Sequence, residues 1–284
     1  MTGGVLMCPP NHFGIEYEIN PWMHVAVQVD HALAEEQWQA LHRTYVDMGV
    51  DIELATPVAG LPDMVFTANA AVVWDGRAVL ANFHHRERQG EESHWRAELE
   101  RLHFEVHELP RSLSFEGAGD ALFVGDRLFC GTGFRTDRES HRPVARILEV
   151  EVVTLELVDP RFYHLDTCFC PLDANTVIAA PEAFSSASAQ LIRQLVPNLV
   201  EVSVEVAAGF ACNAMPLGTQ VVSSLTIAQL EEPLRAAGFT IVPMAMGEFL
   251  KAGGGVRCLS LPLGTGNPNG LVTPRNAQGS STNL

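Results

Sequence analysis

The chain has 284 residues, 47% of them hydrophobic and 18% charged, which supplies a sizeable core and is unlike the composition of a disordered protein. Its formal net charge of −16, with no cluster of Lys and Arg, argues against a phosphate-backbone partner and favours the approach of small cations. The apolar runs fall short of the roughly 20 residues a membrane crossing takes, and six scattered cysteines with no C-x-x-C pair or secretory pattern point to a reducing, cytoplasmic setting.

In chain order, Met7-Cys8-Pro9-Pro10-Asn11 and the stretch from Tyr17 to Met23 carry three prolines and predict extended segments and turns. Residues 31 to 48 place Leu33, Trp38, Leu41, Tyr45 and Met48 at helical spacing, which predicts an amphipathic helix stopped by Gly49. Val50–Leu54 alternates like a strand, residues 60 to 63 form a turn, and the apolar run 70 to 74 ends on the hairpin signal Asp75-Gly76.

The same pattern then recurs. A helix over 92–103 and a strand over 104–109 lead to Ala121–Val124 and Arg127–Cys130, joined across Gly125-Asp126. A third round runs from Arg138 through Val152–Leu155 to Phe169. A fourth joins a helix over 184–195 to Leu199–Val202 and Val221-Val222. In a fifth, a helix over 226–237 precedes Thr240–Met244 and a strand over Cys258–Leu261. Such rounds, alike in pattern rather than in identity, recur at the roughly 20–50-residue periods of repeat arrays. The expected fold class is α/β, with five similar modules about a common axis. One domain over 1–262 is followed by a mobile tail over 263–284, rich in Gly, Asn, Pro, Ser and Thr.

Four segments carry side chains suited to chemistry. Cys258 follows three glycines and Arg257, so a ligand has close backbone access and a positive charge stands next to the sulfur in sequence, as a nucleophilic thiolate requires. His164 and Asp166, two apart in Tyr163-His164-Leu165-Asp166, would share one face of a strand. Glu116 precedes two glycines in Glu116-Gly117-Ala118-Gly119-Asp120, and Asn69 is an amide in a stretch otherwise suited to burial. Taken singly, each also has a structural explanation: a small core thiol, a surface histidine, a loop, a core amide. Cys168 and Cys170 lack a second pair to complete a zinc site, so no metal and no cofactor are predicted.

Together, E-G-x-G-D, H-x-D and the late G-G-x-x-x-C resemble the guanidino-group modifying superfamily, which includes arginine deiminases, dimethylarginine dimethylaminohydrolases, amidinotransferases and arginine dihydrolases. The resemblance covers nearly all of the chain up to Pro262 and implies a five-bladed α/β propeller with pseudo-fivefold symmetry. It also implies a hydrolase in which Cys258 is the nucleophile, His164 the general acid and base, and Glu116 the carboxylate that orients the histidine. Asp166 would grip guanidinium nitrogens, Arg135 would bind a substrate carboxylate with Arg88 as a second, and Asp63 matches a substrate-loop position. Deiminases carry an aspartate where this chain has Asn69. Arginine dihydrolases resemble the chain there, at Met7-Cys8-Pro9-Pro10 and at Ile19–Met23, so Asn69 and Asn20 would retain a neutral ureido intermediate. The expected partner is a small cationic guanidino compound such as arginine, with neither nucleic acid nor membrane, and assembly as a homo-oligomer stays open. Amidinotransferase, dimethylarginine hydrolase and a non-catalytic binding module of the same fold are the alternatives.

Overall fold

Five three-stranded sheets, each built in the same order, make up the structure, a computed structural model that describes residues 4–224 and 228–264. The fully buried strand β1 (Val5–Met7) lies parallel to β2 (Ile52–Leu54), a pairing that needs a crossover, supplied by helix α1 (His31–Asp47). Asp30 caps α1 by accepting from the Leu33 amide at 3.1 Å. The helix buries Ala34, Gln37, Trp38, Leu41 and Tyr45. Leu33, expected on that stripe, is instead 39% exposed, because the stripe turns through Gln37, whose Oε1 accepts from the Glu248 amide.

The next module pairs β3 (Ala71–Trp74) antiparallel with β4 (Arg77–Leu80), then helix α2 (Glu92–Arg101) returns the chain to β5 (Glu105–His107), parallel to β4. Asp75 and Gly76, at φ 45° and 77°, form the tight turn that their residue types signalled. A short helix α3 (Gly117–Asp120) leads into β6 (Ala121–Val124), β7 (Arg127–Thr132), α4 (His141–Leu148) and β8 (Glu151–Glu156). Then come β9 (Phe169–Pro171), β10 (Thr176–Ala179), α5 (Ser186–Leu195) and β11 (Asn198–Glu201). Helix α6 (Val204–Ala208) precedes β12 (Met215–Leu217), β13 (Gln220–Ser223), α7 (Ala228–Ala236) and β14 (Thr240–Pro243). Helix α8 (Gly247–Leu250) and β15 (Leu261–Pro262) complete the described chain. In every sheet the middle strand is antiparallel to its first neighbour and parallel to its last, and β15 fills the first position beside β1. The Leu263 amide extends that ladder by donating to Gly4 O at 2.8 Å. Most of the tail expected to be mobile, 265–284, lies outside the described residues, as do the first two residues of the helix expected over 226–237.

One predicted strand is shortened and another is absent, for one physical reason: their amides are spent elsewhere. The strand expected over Cys258–Leu261 is reduced to Leu261–Pro262, because the amides of Gly255, Arg257 and Cys258 converge on the Asn213 side chain while Leu259 and Ser260 close turns onto Gly255 and Arg257. The strand expected through His164 and Asp166 is a 3₁₀ turn over Leu165–Thr167, with the Leu165 amide taken by Asp120 and the Thr167 amide by His164 O.

Candidate active site

The polar residues of the site occupy one recurring station, the turn that enters the first strand of each module. Asn69 precedes β3, Glu116 precedes β6, His164 and Asp166 precede β9, Asn213 precedes β12 and Cys258 precedes β15. Neighbouring stations touch in a closed ring. Ala68 N donates to Cys258 O at 3.0 Å, Leu165 N to Asp120 Oδ1 at 3.0 Å, and Asn213 Nδ2 to Asp166 O at 3.3 Å. Between Asn69 and the Glu116 segment the approach is close enough to require glycine. A Cβ on Gly117, which sits at φ 57°, would lie 2.7 Å from Asn69 O, and one on Gly119 would lie 2.3 Å from Asn69 Nδ2 and 3.3 Å from His164 Nδ1.

Glu116 is fully buried, and its Oε2 accepts from both His164 Nε2 at 2.7 Å and Arg135 Nη1 at 2.9 Å. Burial alone would raise its carboxyl, but Arg135 and then His164 outweigh it and hold Glu116 well below the usual carboxylate range. A charged carboxylate can only accept, so His164 donates through Nε2, which leaves Nδ1 on the side of Gly119. Arg135 also donates to Ile19 O at 2.7 Å and lies 4.8 Å from the centre of the Tyr163 ring. Its observed partner is therefore Glu116, an ion pair that the substrate-carboxylate role expected for it did not include.

Cys258 is 2% exposed. Its sulfur accepts from Asn213 Nδ2 at 3.0 Å and donates to Asp166 Oδ2 at 3.4 Å. Burial, with Asp166 next, pushes the thiol well up, against the amide of Gly255 and the Asn213 side chain. Asp166 is itself pushed up to about 7 by burial, which Arg257, Cys258 and Asn213 only partly offset. The thiol proton and the Asp166 carboxylate thus share one buried space. Arg257, the charge next to Cys258 in sequence, sends Nη1 to Ser260 O at 3.0 Å and bonds neither Cys258 nor Asp166 among the described residues. The donor at the sulfur is Asn213 instead.

Arg88 gathers Asn69, Asp63 and Glu91: Nη1 donates to Asn69 Oδ1 at 2.7 Å, Nε to Glu91 Oε1 at 2.7 Å, and Nη2 to Asp63 O at 3.1 Å. Tyr17 donates to Asp63 Oδ2 at 3.0 Å, and burial pushes Asp63 up to about 6 against the pull of Arg88. Three buried polar atoms of the site have no partner among the described residues: Asp63 Oδ1, Asn69 Nδ2 and Asp166 Oδ1. A buried acceptor left unpaired costs about 1–3 kcal/mol, so two carboxylate oxygens and an amide donor call for a polar, cationic ligand. Tyr163 links the groups, since burial first and then the fields of Cys258, Arg135, Asp166 and Asp63 act on its phenol, which donates to Gly253 O at 2.7 Å.

The structure thus joins His164, Glu116 and Arg135 in one cluster, Cys258 and Asp166 in a second, and Asn69, Arg88 and Asp63 in a third. Asn20 stands at the edge: its Oδ1 accepts from the amides of Trp22 and Met23 and its Nδ2 donates to Ala252 O, fastening the 17–23 segment over Gly253. The sequence reading missed Asn213 and Tyr163. The signal for Asn213 was its place, just before the first strand of the one module to which no site residue had been assigned. Among the described residues no group of three or more His, Cys, Asp and Glu is arranged to hold a metal, and no helix is long and apolar enough to cross a membrane.

A family model described as N,N dimethylarginine dimethylhydrolase, eukaryotic, matches residues 10–264. The bifunctional arginine dihydrolase/ornithine cyclodeaminase ArgZ of Synechocystis sp. is 45% identical over 262 residues, covering 90% of this chain but 37% of ArgZ, so the chain spans just over a third of that relative. The N(G),N(G)-dimethylarginine dimethylaminohydrolase of Mycobacterium tuberculosis is 41% identical over 90% of this chain and 84% of its own length. Among solved structures, the product-bound N-terminal domain of ArgZ, an arginine dihydrolase, matches with TM-score 0.90 at 42% identity, over 96% of this chain and all of that one. The same domain has also been solved with substrate and covalently bound to a reaction intermediate.

Proposed function

Since the chain belongs to the dimethylarginine dimethylaminohydrolase family of the guanidino-group modifying superfamily, we propose that it hydrolyses the guanidino group of arginine through a covalent adduct on Cys258. The observation that carries this is the unpartnered Asp166 Oδ1, on a carboxylate that meets the Cys258 sulfur through Oδ2, with a second unpartnered carboxylate oxygen at buried Asp63, both suited to a guanidinium. Cys258 attacks the central guanidinium carbon, and His164 protonates the nitrogen that leaves as ammonia. Water, deprotonated by His164, then attacks the adduct, and the carbon–sulfur bond breaks to give a ureido group. With Asn69 and Asn20 retaining that neutral group, a second round expels a second ammonia and the carbon leaves as carbon dioxide. Arginine and two waters become ornithine, two ammonia molecules and carbon dioxide.

The ligand roles extend this reading. Arg135 keeps guanidinium donors beyond those given to Glu116 and Ile19 O, which suits it to a substrate carboxylate, with Arg88, most of whose donors go to Glu91, Asn69 and Asp63, as a second charge, and Asp63 and Asp166 suit the cationic end. The repeated module order supports a five-bladed α/β propeller about a pseudo-fivefold axis. A cytoplasmic place and a small cationic partner fit the free cysteines and the acidic charge.

The family description and the M. tuberculosis relative favour a second reading, loss of dimethylamine from dimethylarginine. Mass spectrometry of products from L-arginine and from Nω,Nω-dimethylarginine separates the two. Ornithine with ammonia from arginine supports the first, citrulline with dimethylamine from the methylated substrate supports the second, and unchanged substrates in both would sink each.

A further inference from the structure

Asn213 is completely buried and makes more polar contacts with the nucleophile's loop than any residue so far given a role. Its Oδ1 accepts from three backbone amides, those of Gly255 at 3.0 Å, Arg257 at 3.2 Å and Cys258 at 3.3 Å. Three converging donors admit only an oxygen, which fixes the orientation of the amide and obliges Nδ2 to face the other way. There Nδ2 meets two acceptors, Asp166 O at 3.3 Å and the Cys258 sulfur at 3.0 Å. The geometry points to Asn213 as the group that holds the Cys258 loop and donates to the sulfur as its negative charge forms.

This inference rests on the reading of Cys258 as nucleophile. The need for such a donor follows from the site itself. A sulfur that is 2% exposed has little water to solvate its charge, and its other polar neighbour, Asp166, accepts the thiol proton and would repel a thiolate. No lysine or arginine donates to the sulfur among the described residues, so the Nδ2–H bond, and the loop amides that Oδ1 draws together, are what favour the ionised form. One amide thus serves two ends: the oxygen shapes the loop and the nitrogen receives the charge. The two can be separated, because Asn213→Asp keeps an acceptor for the three amides while at alkaline pH it replaces the donor with a like charge.

The test is the pH profile of Cys258 alkylation by iodoacetamide, followed by peptide mass mapping, in the native enzyme and in Asn213→Ala, Asn213→Asp and Ser224→Ala. Iodoacetamide is neutral and reads the thiolate whether or not arginine is the substrate. In both Asn213 variants the midpoint is expected to rise by about one to two pH units, a roughly ten- to hundredfold slower reaction near neutral pH. Ser224 bonds the Val256 amide at 3.3 Å, so Ser224→Ala loosens the same loop without touching the donor. It should lower thermal stability and leave the midpoint in place. A native-like midpoint in both Asn213 variants, or an equal shift in Ser224→Ala, would overturn the inference. Failure of the native enzyme to alkylate at Cys258 would instead remove the nucleophile reading, and this inference with it. An unchanged arginine after incubation with an enzyme whose Cys258 alkylates normally would remove only the substrate.

Discussion

Arg88 donates to Asn69 Oδ1 at 2.7 Å, and that bond turns the amide so that its nitrogen lies against Gly119, beside His164 and without a partner. A carboxylate at 69 would pair with Arg88 and lose that donor, adding a third acidic group to Asp63 and Glu91 around one guanidinium. Such a site holds cationic arginine better than a neutral ureido product. Asn69→Asp should therefore release citrulline after one round, with ammonia per arginine falling from about two toward one. Ornithine as the only product of the variant would return Asn69 to a purely structural role.

Cys258→Ser replaces the sulfur with a poorer nucleophile of nearly the same size, one that can still accept from Asn213. Turnover is expected to drop by about 10⁴-fold or more while the thermal midpoint stays within a few degrees. Steady-state rates with scanning calorimetry check both parts, and near-native rates would take the sulfur out of the reaction.

Glu116→Gln leaves Arg135, only 3% exposed, without its counter-charge. A buried ion pair broken from one side costs about 3–5 kcal/mol, so the urea midpoint should fall markedly along with activity. Combining it with Arg135→Met removes the stranded charge and should recover part of the stability while activity stays lost. Additive losses in the double variant would show that the two residues are not coupled.

Asp166 titrates at about 7 in the fold against 3.8 ordinarily, because burial disfavours its charge. The folded chain therefore binds this proton more tightly than the unfolded chain, and the stability it contributes at acid pH is lost as pH rises from about 4 through about 7. Asp63 and Asp120, both near 6, act in the same direction. A cationic ligand that pairs with Asp166 favours the charged form, so stabilisation by arginine should grow with pH across this window. Urea titrations at pH 5 and pH 8, with and without arginine, should show the trend, and Asp166→Asn should flatten it. An arginine effect independent of pH in the native protein would contradict the pairing.

What the sequence made legible were side chains out of keeping with their surroundings. Glu116 before two glycines, His164 two before Asp166, and Cys258 after three glycines each stand out in an apolar chain, and each enters the site. The module rhythm was legible for the same reason, since turn pairs such as Asp75-Gly76 fix hairpins locally. What stayed hidden depended on distant partners. Nothing in Cys212-Asn213-Ala214 announces that Asn213 will gather three amides from residues 255 to 258, nor that this will dissolve the strand expected there. Arg135 stood out in Gly133-Phe134-Arg135, but its bond to Glu116 depends on the loop after β7 folding back onto the turn that enters β6 of the same module.

The pairing of β15 with β1, Leu6 opposite Leu261, has a kinetic meaning. Four sheets arise from segments close in sequence, whereas this one waits for opposite ends of the described chain to meet, the slowest kind of contact to form. Cys258 sits three residues before that late seam, and its carbonyl is bonded across to Ala68 in the next module. During refolding the apolar core can therefore be largely buried while Cys258 is still unplaced. Turnover of arginine should return later than tryptophan burial, which would make activity a reporter of the completed β15–β1 seam.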